Sequence, residues 1–67
     1  MARIRQTFDQ YVLDVIDQFS KIGGIRRERA SVYAGTSGDL IKIGFNEGYS
    51  PHAMAVQLRS IYIGDRS

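Results

Sequence analysis

The chain has 67 residues, 43% hydrophobic and 24% charged, with a formal net charge of +2. It has no Cys and a single His, His52, which excludes disulfides and thiolate metal sites and leaves the His without fellow ligands. A chain this short buries only about 60% of the surface its unfolded form exposes, so it is limited to one domain and is expected to gain stability by oligomerising.

No apolar run approaches the roughly 18 residues of a membrane span. Residues 1–10 lack the apolar core of a signal peptide. A cytoplasmic protein without membrane insertion is expected. No nucleophile–base pairing stands out, so neither an enzyme nor a cofactor is expected.

Residues 2–8 alternate, with Arg3, Arg5 and Thr7 on one side and Ile4, Gln6 and Phe8 on the other. Period-two alternation predicts a short half-buried strand. A lone strand cannot satisfy its backbone hydrogen bonds, and the chain offers it no partner. The same strand of a second copy is the expected partner.

Residues 9–22 predict an amphipathic helix. Phe8, Val12, Val15, Ile16, Phe19 and Ile22 recur at spacings of three and four. Thr7 with Gln10 fits a capping box, with Asp9 as the other N-cap candidate. Gly23-Gly24 ends the helix.

Residues 25–31 form a basic connector, after which Ser31 is placed to cap a second helix. Gly35 and Gly38 each disfavour helix by about 1 kcal/mol relative to Ala. Propensity alone therefore starts that helix at Thr36 or Ser37. The opposing reading makes Gly35, Thr36, Ser37 and Gly38 small because another helix crosses there. Leu40, Ile41, Ile43, Gly44 and Phe45 are clearly helical, with Gly48 as a stop. Ser50-Pro51 opens a last helix carrying Met54, Leu58 and Ile61 through about Tyr62.

Strand, helix, connector, helix and an additional C-terminal helix make a mainly α chain of ribbon-helix-helix pattern. On this pattern residues 1–49 are expected to form a ribbon-helix-helix DNA-binding domain and residues 50–67 a C-terminal helix and tail. In that fold two chains pair their strands and interlock their helices into one homodimer core. Here the core would contain Ile4, Phe8, Val12, Ile16, Phe19, Thr36, Leu40 and Ile43. A two-stranded ribbon enters the major groove of duplex DNA.

The charge distribution fits this reading. Seven of the nine basic residues are Arg, which suits bidentate pairing to phosphate and guanine. Arg3 and Arg5 are expected to contact base edges, and Thr7 a thymine methyl or an acceptor. Arg26, Arg27 and Arg29, with the backbone N–H groups of Ser31 and Val32, are expected to hold phosphate. The bland alternative is that these arginines only solubilise a surface.

Two stretches then carry a resemblance. Met1-Ala2-Arg3-Ile4, and the run Gly35-Thr36-Ser37-Gly38-Asp39-Leu40-Ile41-Lys42-Ile43-Gly44-Phe45, resemble the DNA-binding region of the TraM family of relaxosome accessory proteins from F-like conjugative plasmids. Val12 and Ile16 fall where that family has apolar first-helix residues. The resemblance covers roughly residues 1–49. It implies binding near an origin of transfer, autoregulation of transcription and contact with other relaxosome proteins. It also implies that Gly35 and Thr36 lie inside the second helix. Linkage to a coupling protein is not carried over, because the family's C-terminal domain has no counterpart in the matched stretch.

Other classes remain open at this point. Phe45 to Ala55 resembles the opening of a helix-turn-helix repressor domain, which needs a further recognition helix after Leu58. A small protein-interaction module, antitoxin-like, is the third reading.

Overall fold

A computed structural model of the chain describes residues 7–64. These form four helices: α1 (Phe8–Gly23), α2 (Arg27–Thr36), α3 (Gly38–Glu47) and α4 (Pro51–Tyr62). There is no strand among the described residues. The β-α-α ribbon-helix-helix expectation is therefore corrected to an all-helical fold. Arg3, Ile4 and Arg5 lie outside the described residues, but Thr7 and Phe8 do not. The Thr7 hydroxyl accepts from the Gln10 N–H at 3.1 Å, making Thr7 the N-cap of α1, and Phe8 is the first helical residue. A capped helix start replaces the end of the expected strand.

α1 is the central element. Asp9 in its first turn and Lys21 in its last both suit the helix dipole. Gly24, at φ 64°, closes it by donating its N–H to the Ser20 carbonyl. Its buried stripe is Tyr11, Val15, Ile16 and Phe19. α4 packs along this stripe through Met54, Ala55 and Leu58, and α2 through Ala30 and Ala34. Because α2 buries only alanines, its backbone lies close to α1.

Ser37 separates α2 from α3. Its N–H is shared between the carbonyls of Tyr33 and Ala34, at 3.0 and 3.1 Å, and its own carbonyl accepts from Ile41 N–H at 3.0 Å. Its buried hydroxyl hydrogen-bonds that of Tyr62. Tyr62 in turn stacks on Tyr33, with ring centroids 4.6 Å apart. The propensity reading holds in that Ser37 begins a helix, while Gly35 and Thr36 complete the one before it; no helix among the described residues crosses at Gly35 or Gly38, where an added Cβ would meet nothing within 4 Å.

Gly48, at φ 87°, ends α3, and α4 opens with Pro51 at its first position and Ser50 as N-cap, accepting from Ala53 N–H at 3.1 Å. α3 and α4 meet at Gly44, where the Met54 side chain occupies the space a Cβ would need. No helix among the described residues is long and apolar enough to cross a membrane.

Candidate nucleic-acid interface

The short Gly24-Ile25-Arg26 link turns α2 back along α1. Arg26, Arg27 and Arg29 therefore cluster at one corner, beside the C-terminal end of α1, and all are exposed. The α2 amino end carries three arginines against one acid, Glu28, in its first turn. Arg26 is the N-cap residue and makes no side-chain capping bond. The first intrahelical bond runs from Ala30 N–H to Arg26 C=O, at 2.9 Å. The N–H groups of Arg27, Glu28 and Arg29 precede it, and no side chain caps them. Cations thus sit at the positive end of a helix dipole, the unfavourable arrangement.

Local pairing relieves only part of this. Asp17 receives Lys21 at 3.3 Å and Arg27 at 3.5 Å, both exposed pairs worth about 0.2–1 kcal/mol each. Arg29 lies 3.4 Å from the Tyr33 hydroxyl, to which it donates. Arg26 forms no ion pair among the described residues. Arg26 and Arg29, one helical turn apart, line an open concavity of about 520 Å³ with Glu28, Val32 and Tyr33.

The predicted contact residues divide between the ends of α1. Thr7 is at its amino end, about 24 Å along a 16-residue helix from the arginine corner. Arg3 and Arg5 lie outside the described residues. Thr7 and the phosphate-holding arginines therefore do not form one patch within a single chain. Ser31 and Val32 lie inside α2, past its amino end, so their N–H groups serve the helix; those of Arg27 to Arg29 are the open ones. The expectation of a capping Ser31 fails because the helix starts five residues earlier, with Arg26 rather than Ser31 as its N-cap.

The residues expected in a dimer core also separate. Phe19 is fully buried within the single chain and Ile16 nearly so. Val12 and Leu40 are half-buried, whereas Thr36 and Ile43 are exposed, and Phe8 lies at the surface against Phe45. Sequence reasoning missed a groove between α1, α2 and α3. It holds about 260 Å³ and is lined by Phe8, Val12, Ile16, Ser31, Ala34, Gly35, Gly38 and Ile41. The signal for it was the Gly35–Gly38 run of small residues.

Among the described residues no helix follows α4, so the further recognition helix that a helix-turn-helix needs is not seen there. Comparison of the chain with protein-family models, curated proteins and solved structures gives no match.

Proposed function

We propose that the chain binds duplex DNA, with Arg26, Arg27 and Arg29 anchoring the phosphate backbone and Arg3 and Arg5 reading base edges from the amino-terminal segment. The observation that carries the reading is the α2 amino end. Three exposed arginines, against the single acid Glu28, lie within about one turn of N–H groups that no side chain among the described residues caps and that also favour an anion. A phosphate placed there would satisfy the open donors and relieve the repulsion between the cations and the helix dipole. Arg3 and Arg5 add two arginines and no acid in the segment of sequence before Phe8. On duplex DNA phosphate contacts position the protein and base contacts specify the sequence.

The resemblance of residues 35–45 to the TraM family makes an origin of transfer the first DNA to test, and a promoter the second. The role proposed there is relaxosome accessory factor and autoregulator.

Binding is measured by fluorescence anisotropy on specific and random duplexes across a salt series. Affinity should fall steeply with salt, because each neutralised phosphate releases counterions. Arg26→Ala should weaken all duplexes alike and reduce the salt slope by about 1. Arg5→Ala should relax sequence preference. No binding at low salt, or a flat salt response, would overturn the proposal.

A further inference from the structure

We propose that Tyr62, at the end of α4, is a positioning residue for the phosphate site on α2: it fixes the Tyr33 ring, and Tyr33 in turn aims the Arg29 guanidinium. The inference rests on the phosphate reading of that corner and gives α4 a part in it. Tyr33 is the one ring among the residues that line the concavity with Arg26 and Arg29. α2 buries only Ala30 and Ala34, so what fixes this half-buried ring comes from α1 and α4. Tyr62 stacks on it at a centroid distance of 4.6 Å and an interplanar angle of 12°. Phe19 of α1, fully buried, meets it at 6.0 Å and 41°. Tyr62 is itself tied down, because its hydroxyl hydrogen-bonds that of the buried Ser37 at the junction of α2 and α3. Packed aromatic pairs hold their rings in a defined orientation. The Tyr33 hydroxyl is thereby held where it accepts from Arg29 Nη1 at 3.4 Å.

The arginines of the corner are held differently. Arg27 is paired with the Asp17 carboxylate, which offsets its charge. Arg26 forms no ion pair among the described residues. Arg29 has a neutral acceptor. A phenol oxygen takes one guanidinium N–H and leaves the full charge and the other donors for an anion. Ordering a long side chain before binding removes part of the entropy cost of ordering it on the ligand. Tyr62 does not line the concavity, so it acts on a bound phosphate only through Tyr33.

The test is a double-mutant cycle read by fluorescence anisotropy on duplex DNA. Tyr62→Leu removes the stack and should weaken binding to specific and random duplexes alike, by about threefold. The salt slope should not change, because the Arg29 charge is still present, whereas Arg29→Ala should lower that slope by about 1. In the Arg29→Ala background Tyr62→Leu should have no further effect. Tyr62→Phe keeps the ring and should recover most of the affinity. Should Tyr62→Leu lose helicity by circular dichroism, Tyr33→Phe takes its place. It keeps the stack, removes only the acceptor, and should show the same loss with the same dependence on Arg29. A loss of equal size with and without Arg29 would overturn the inference, because a merely structural role predicts it. Wild-type affinity in both Tyr62→Leu and Tyr33→Phe would overturn it too, and would leave the DNA reading standing. Absence of duplex binding by the wild-type chain is the separate outcome that removes the DNA reading, and this inference with it.

Discussion

Gly44→Ala separates the packing of this chain from the helix propensity of its sequence, because the two predict opposite signs. Gly44 lies inside α3, where Ala is better than Gly by about 1 kcal/mol. Propensity alone therefore predicts a more stable protein. In the structure a Cβ at this position overlaps the Met54 Cε methyl and lies 3.4 Å from the Tyr11 hydroxyl oxygen. Met54 is fully buried and Tyr11 nearly so, which leaves the methionine little room to swing away. Overpacking of a filled core costs about 1–3 kcal/mol. The balance is a net loss of about 1 kcal/mol, or a fall in Tm of roughly 4–8 °C for a chain of this size. Urea denaturation at fixed protein concentration measures it. Met54→Leu removes the offending methyl with little change in volume, so in that background Gly44→Ala should become neutral or stabilising. A stabilising Gly44→Ala in the wild-type background, equal to that in the Met54→Leu background, would refute the crossing at Gly44.

The Tyr11 hydroxyl is buried without a hydrogen-bond partner, so Tyr11→Phe should leave the protein at least as stable, by up to about 1 kcal/mol, in the same denaturation assay. Burial also pushes the Tyr11 hydroxyl above its ordinary 10.0, so the folded chain holds this proton more tightly than the unfolded chain. Its contribution is fully present below pH 10 and is lost as pH rises through the raised value; Tyr11→Phe should flatten that part of an alkaline stability profile. Ser37→Ala deprives the half-buried Tyr62 hydroxyl of its partner and should cost about 1 kcal/mol, with Tyr62→Phe adding little once Ser37 is gone.

The long, capped helices were legible. α1 and α4 combine an N-cap, a dipole-matched or proline-marked start and apolar residues at helical spacing, all local signals. The described end of the expected strand, Thr7 and Phe8, is a helix start because Phe8 belongs to two patterns. It ends a period-two run that is imperfect at Gln6, and it begins a helical series through Val12, Ile16 and Phe19. The longer series prevails once Thr7 caps it. The start of α2 was illegible for a different reason. Its fully buried side chains are only Ala30 and Ala34, too small to mark a periodic apolar stripe, with Tyr33 half-buried beside them. Its placement comes from α1, across a contact no local pattern encodes. The same blindness hid the groove and the hydroxyl link from Ser37 to Tyr62, each made by residues distant in sequence.

α2 is therefore the element whose local chemistry agrees least with its conformation. It has no side-chain cap, cations at its positive end, alanines for a buried face and a glycine near its end. Such conflicts between local preference and global fold are where function is expected to have shaped a sequence. The consequence is testable at Arg26, whose φ of −68° and ψ of 148° already fit an N-cap. Arg26→Asp supplies a capping carboxylate and replaces a repelled charge with an attracted one. Capping contributes about 0.5–2 kcal/mol, with a further fraction from the dipole. The variant should thus be more stable by about 1 kcal/mol while binding duplex DNA more weakly than Arg26→Ala does. Unchanged stability would mean that the α2 amino end is not open as described. Greater stability with undiminished DNA affinity would mean that its arginines serve something other than phosphate.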